Sequence, residues 1–193
     1  QTTKMKKLIY TLLAVSIIFS ACEEDTPLPA VNNNSVLAIG DIYQGGIIFY
    51  LDGNGGGLIS APSDQSSYAE WGCYLTLISG ADGTAIGTGN QNTIDIVAGC
   101  TTSSTAADIC ANLALGGYSD WFLPSKDELN KMYLNIGQGS SLGNVGNFAN
   151  DNYWSSSEIG SPVAWDQDFD PDDPDQGISE KLGPLYVRAV RAF

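Results

Sequence analysis

The chain has 193 residues and a formal net charge of −14, from 22 acidic and 8 basic residues, and it contains no histidine. All 22 acids follow Cys22, whereas Lys4, Lys6 and Lys7 precede it, so the part from Cys22 onward carries 5 basic residues and a net charge of −17. That balance excludes nucleic acid as a partner, because such binding comes largely from Lys and Arg neutralising phosphates. It also repels anionic lipid head groups. The lack of histidine removes the commonest general base and the commonest zinc ligand together.

Met5 reads as the start, followed by Lys6, Lys7 and an apolar run over residues 8–19. Basic residues before such a core mark a secretory signal. The run is shorter than the roughly 20 residues a membrane-spanning helix needs. It ends in Phe19-Ser20-Ala21-Cys22, which resembles a lipoprotein cleavage box. The resemblance implies a signal peptide over 1–21 and acyl chains on Cys22, anchoring the protein to a membrane through lipid alone. Glu23, Glu24 and Asp25 follow and resemble the surface-export signal of some Gram-negative lipoproteins. An outer-membrane, cell-surface location is expected over the periplasmic face. Residues 22–38 read as an acidic, Pro- and Asn-containing linker, the kind of composition that stays solvated. One domain is expected over 39–193.

Within it, residues 42–51 (IYQGGIIFYL) are rich in β-branched and aromatic types, and 57–61 (GLISA) return after Asp52-Gly53-Asn54-Gly55, predicting a hairpin. A short helix is expected at 92–98 and another over 104–114, where Ala106, Ile109, Cys110 and Leu113 repeat at helical spacing and Gly116-Gly117 supply a stop. A third helix is predicted after Pro124, with Ser125 and Glu128 forming a capping box and Leu129, Met132, Tyr133 and Ile136 making its buried stripe. Strands are expected at 153–158, 163–169 and 185–193, the last as one strand with alternating faces. Strands at both ends with helices between predict an α+β fold.

Cys73, Cys100 and Cys110 remain beyond the anchor cysteine, enough for one disulfide and one leftover thiol. Cys73–Cys100 is the favoured pair, because Cys110 falls on an apolar helix face and fits there as a small buried hydrophobe.

Several blocks occur in a specific order. Gly117-Tyr118-Ser119-Asp120-Trp121-Phe122-Leu123-Pro124-Ser125 with Glu128-Leu129 precedes Tyr153-Trp154-Ser155-Ser156-Ser157-Glu158, and the chain closes on Val187-Arg188-Ala189-Val190-Arg191-Ala192-Phe193. With Gly45-Gly46-Ile47-Ile48-Phe49-Tyr50 and Gly56-Gly57-Leu58 earlier, this order resembles the C-terminal domain family of Legionella collagen-like proteins over 39–193. The resemblance implies a C-type lectin-like domain, related to the formylglycine-generating-enzyme fold. Such a domain has paired terminal strands, two main helices and an irregular region that presents a ligand surface. Members occur in adhesins and surface lipoproteins, and some are diversified by retroelements, which here predicts codon variation at 159–185. The aromatic and serine blocks themselves are read as structural, since large aromatics are usually buried.

Residues 158–181 (EIGSPVAWDQDFDPDDPDQGISEK) are the expected functional segment, because loops on a rigid scaffold concentrate binding residues. Ile159, Ser161, Trp165, Asp166, Asp168, Phe169 and Asp170 are the candidate ligand contacts. Asp168, Asp170, Asp172 and Asp175 are candidate calcium ligands, although the run matches an EF-hand loop poorly. The expected function is non-enzymatic recognition of a glycan or a surface protein. The alternative is an enzyme: either formylglycine-type chemistry, which needs a reactive cysteine pair, or carboxylate-pair glycan hydrolysis.

Overall fold

The computed structural model describes residues 36–193, which form one compact unit, Val36–Phe193. The signal segment, Cys22 and most of the linker lie outside the described residues. Nine strands and three helices follow in chain order. They are β1 (Ile42–Tyr43), β2 (Gly46–Leu51), β3 (Gly57–Ser60), β4 (Ser66–Ala69), α1 (Gly89–Gly99), α2 (Ala106–Ala111) and α3 (Lys126–Ile136), then β5 (Asn152–Gly160), β6 (Val163–Asp168), β7 (Ile178–Glu180), β8 (Leu185–Val187) and β9 (Val190–Ala192). The strands form two sheets, ordered β1-β2-β3-β9 and β4-β8-β5-β6-β7. The fold is α+β.

The predicted hairpin is β2–β3, paired from Ile47↔Ser60 to Leu51↔Gly57, but the stretch 42–51 expected as one strand is two, because Gln44 and Gly45, both at positive φ, fold β1 back onto β2. Its turn is held by Asp52, whose Oδ1 accepts from the N–H groups of Asn54 (2.7 Å) and Gly56 (3.0 Å). The C-terminus pairs with this hairpin through β3–β9. Helix α3 starts at the predicted box: Ser125 Oγ accepts from Glu128 N, and Glu128 Oε2 accepts from Ser125 N at 2.7 Å. Its stripe of Leu129, Met132, Tyr133 and Ile136 is buried against Phe49, Tyr153 and Phe169.

Two further expectations are corrected. Helix α2 spans only Ala106–Ala111, opened by a Thr105–Asp108 capping box. Gly116 and Gly117, both at positive φ, instead close a tight turn that bridges Leu115 to Tyr118. The terminal segment is two strands in two sheets, and its faces do not alternate, since Val187, Arg188, Ala189 and Val190 are all buried. Arg188 forces the break. Its guanidinium donates to the carbonyls of Ala61 (3.0 Å), Gly146 (2.8 Å) and Asn147 (3.3 Å) and pairs with Asp64 (2.7 Å). A buried cation must be met this fully, so the chain turns from one sheet to the other around it.

Cys73 and Cys100 form the disulfide, and Cys110 is buried and free. Trp71 and Trp154 cross-link the second sheet, each donating its indole N–H to a backbone carbonyl at 2.9 Å, Trp71 to Ser155 and Trp154 to Ala69. The three serines after Trp154 are buried and satisfied. Ser155 Oγ donates to the Trp165 carbonyl (2.7 Å), Ser156 Oγ accepts from Asn92 (3.2 Å), and Ser157 Oγ donates to the Gly83 carbonyl (2.6 Å). The serine run thus ties the irregular 73–88 region to β5.

Candidate functional face

The β5–β6–β7 ladder is the scaffold of the predicted segment. Antiparallel pairing sets Trp165 opposite Ile178 and Ala164 opposite Ser179. Alternation along β6 therefore sends Trp165 and Ile178 to one side, and Ala164, Asp166 and Ser179 to the other.

The Trp165 side is an outer surface. The indole is half-buried, and the Lys126 ammonium lies 4.1 Å from its ring centroid. Lys126 is placed by the start of α3: its N–H donates to Ser157 Oγ at 3.0 Å, and its carbonyl accepts from Gln176 Nε2 at 3.1 Å. Ile178 is exposed beside them. An aromatic face with a cation above it, an apolar neighbour and a polar rim can stack on a flat apolar ligand face while fixing its orientation. Lys126 was not flagged by the sequence, and Gln176 and Ile178, though inside the 158–181 segment, were not singled out, because all three reach Trp165 only through α3 packing and strand register.

The Asp166 side is interior. Asp166 is buried beneath Gly177, and its Oδ2 accepts from the Ser179 hydroxyl while Oδ1 has no hydrogen-bond partner. Burial pushes its carboxyl above the usual value, and the nearby Asp168 charge adds to this, against the hydrogen bond from Ser179. Phe169 is also buried, with its ring centroid 4.6 Å from Phe148, 4.7 Å from Tyr153 and 5.5 Å from Tyr133. Asp166 and Phe169 are therefore corrected from ligand contacts to anchors of the loop. Ile159 is exposed at the far end of β5, and Ser161 is half-buried in the β5–β6 turn.

Two carboxylates of the acidic loop are used within the loop itself. Asp168 Oδ1 accepts from Asp170 N (2.7 Å), and Asp170 Oδ1 accepts from Asp172 N (2.9 Å). Asp168 N donates to the Asp175 carbonyl (2.9 Å), closing the loop. These are local turns that short acidic side chains favour. Among the described residues no three Asp, Glu or Cys side chains are grouped to hold a metal ion. Asp168, Asp170, Asp172 and Asp175 are thus not drawn together as the expected calcium ligands.

The remaining chemistry is held inside. Burial pushes the Cys110 thiol far up, and the other two described cysteines are joined to each other. Glu128 is also pushed up by burial, but both its oxygens are occupied, Oε1 by Gly87 N (2.7 Å) and Oε2 by Ser125 N. Lys181 pairs with Glu158 in the interior, and Arg191 pairs with Asp120 while lying 3.7 Å from the Tyr118 ring centroid. The Arg191 hydrogen bond holds the Asp120 carboxyl below its usual value.

The conspicuous blocks of the sequence are thus the ones that knit this interior. The family model of the Lcl C-terminal domain matches residues 64–191. The chain belongs to that family. The Lcl C-terminal match opens at Asp64 and closes at Arg191, so it contains both partners of the three ion pairs found among the described residues. No curated protein matches the chain. Among the described residues no helix is long and apolar enough to cross a membrane.

Proposed function

We propose that this is a non-enzymatic recognition domain of C-type lectin-like kind, displayed outside the cytoplasm on a lipid at Cys22, and that it binds a glycan or protein through the Trp165 face. The observation that carries the reading is the half-buried Trp165 held between Lys126 and Ile178 on a rigid ladder. The Cys73–Cys100 disulfide supports an oxidising compartment. Family membership is compatible with a surface-associated binding module. An enzyme of the formylglycine type would need a reactive cysteine pair, whereas Cys73 and Cys100 are tied together and Cys110 is sealed in the core. The predominance of acid favours neutral or basic ligands over sulfated or phosphorylated ones.

The test is a screen of the purified protein and its Trp165→Ala variant on glycan and surface-protein arrays, with calcium and with EDTA. Selective binding by the parent that the variant loses is the expected result. Selective binding that survives Trp165→Ala removes this face from the function, and turnover of a glycan by the parent favours the hydrolase alternative.

A further inference from the structure

Strand β7 is the last of its sheet, so one of its main-chain edges has no strand beside it. The register decides which groups lie on that edge. Asp166 and Gly177 exchange both main-chain bonds, Asp166 N donating to the Gly177 carbonyl (3.2 Å) and Gly177 N to the Asp166 carbonyl (3.1 Å). Along an antiparallel ladder such bonded pairs alternate with unbonded ones. The same register carries Asp168 N to the Asp175 carbonyl (2.9 Å) and Lys181 N to the Pro162 carbonyl (3.0 Å). Asp175, Gly177, Ser179 and Lys181 therefore turn their main chain to β6, and Gln176, Ile178 and Glu180 turn theirs outward. The Glu180 carbonyl is taken by Gly183 N (2.7 Å). That leaves the N–H and C=O groups of Gln176 and Ile178 and the N–H of Glu180 along the open edge. The other sheet ends offer less. Val190 of β9 exchanges both its main-chain bonds with Phe122 (2.9 Å each), β1 has two residues, and β4 is interrupted by a register shift.

The side chains of the three outward residues share the Trp165 side. Ile178 stands opposite Trp165 in an unbonded pair, the kind whose side chains lie closest, and Gln176 reaches the Lys126 carbonyl (3.1 Å). A strand added along β7 would set one side chain opposite Ile178 and lengthen the Trp165–Ile178 row by one member. Ile178 is 55 % exposed, so that contact would cover apolar surface. Glu180, two places on and on the same side, is exposed and has no ion-pair partner among the described residues. The residue opposite it is therefore favoured as a cation. A second copy brings the same excess of acid and is disfavoured.

We propose that the ligand of this face is an extended peptide segment of a partner protein. It adds antiparallel along β7, with an apolar residue opposite Ile178 and a lysine or arginine opposite Glu180. The inference rests on the reading of the Trp165 face as the binding surface and narrows its ligand from a glycan or a protein to a peptide strand. Main-chain hydrogen bonds supply the affinity of such additions, and alternate side chains supply the specificity.

The experiment titrates the full chain, by calorimetry, with a blocked seven-residue peptide that alternates threonine with lysine, valine and lysine. The valine is then opposite Ile178, and the main chain of valine and both lysines faces β7. Two N-methylated isomers keep every side chain and charge. Methylation at the valine and lysine nitrogens should weaken binding about tenfold or more, because it removes the donors that bond β7. Methylation at the threonine nitrogens, which face away, should leave binding unchanged. Glu180→Lys should also weaken it about tenfold, and so should Trp165→Ala; unchanged melting temperatures confirm that these variants fold. The proposal is overturned if the parent ignores the peptide, if the two methylated isomers bind equally, or if Glu180→Lys binds as well as the parent. It is also overturned by a dimer on sedimentation that the peptide dissociates, because the occupant is then a second copy. A glycan bound through Trp165 with no binding of the peptide sinks the strand addition and leaves the Trp165 face standing. A methylation contrast that survives Trp165→Ala sinks the Trp165 face and leaves the strand addition standing.

Discussion

Replacing Lys181 with Met removes the charge that answers Glu158 while keeping most of the apolar stem. Both partners are essentially sealed from solvent, so the carboxylate cannot recover its hydration. Removing one member of a buried pair costs about 3–5 kcal/mol, a large share of the roughly 5–15 kcal/mol that holds a domain together. The loss includes the Lys181 contact with Trp71, 4.3 Å from its ring centroid, worth up to about 2 kcal/mol when desolvated. Adding Glu158→Gln should reverse most of the damage. An amide at that position still accepts from Ile78 N and can donate toward the Thr76 carbonyl that Lys181 serves. The double variant should lie within about 1–2 kcal/mol of the parent, because no buried charge is left unmatched. Urea denaturation at neutral pH measures all four corners of the cycle. A Lys181→Met cost below about 1 kcal/mol, or a double variant as unstable as the single one, would refute the reading of Glu158 and Lys181 as a sealed, matched pair.

Three further predictions follow from the same interior. Because the folded-state carboxyl of Asp166 titrates above its ordinary value, its contribution is present at low pH and is lost as pH rises through the folded value. Asp166→Asn should therefore gain melting temperature relative to the parent as pH goes from acid to neutral, and a constant offset would sink this account. Removing the disulfide with Cys73→Ser and Cys100→Ser should cost about 3–4 kcal/mol for a closed loop of this size, with a sequence separation of 27. In that variant Cys110 should react with a thiol reagent only on unfolding. Gly89→Ala should cost about 1–3 kcal/mol by overpacking, because the new Cβ would press on Glu128 Oε2 and lie 2.7 Å from Ser125 N. Denaturation midpoints check it, and a neutral result would mean that α1 shifts freely against the α3 cap.

Local signals were legible wherever one segment decides its own structure. The capping box at Ser125 and Glu128, the α3 stripe and the β2–β3 turn are written in neighbouring residues. The Cys73–Cys100 pairing followed from recognising Cys110 as a core residue. What periodicity missed depends on distant partners. The break at Arg188 exists because Asp64 and the carbonyls of residues 61, 146 and 147 surround the guanidinium. Alternating polarity at 185–193 carries no trace of that. The acidic run carries two readings at once. Its aspartates repeat at the spacing of a calcium loop, and the same spacing lets Asp168 and Asp170 each accept from the backbone two residues on. Phe169 sits in mid-run facing the core, an arrangement visible only once Tyr133, Phe148 and Tyr153 are in place.

The division of charge connects the fold to the proposed role. Of the five cations after Cys22, Lys181, Arg188 and Arg191 are buried and matched to acids, and Lys126 is committed to Trp165. The acids are distributed the other way, with Asp172, Asp173 and Asp175 exposed on the loop before β7, and Glu70, Asp82 and Glu180 exposed as well. The surface is consequently more one-signed than the composition alone implies. Long-range attraction then favours basic partners and speeds their encounter, while the Trp165 face supplies the short-range contacts. Salt separates the two contributions. If binding at the Trp165 face follows this scheme, raising ionic strength should slow association of a basic ligand much more than it speeds dissociation, because screening acts on the encounter and leaves the apolar contact in place. Equal salt dependence of both rates would place the acids inside the bound interface and not at its rim.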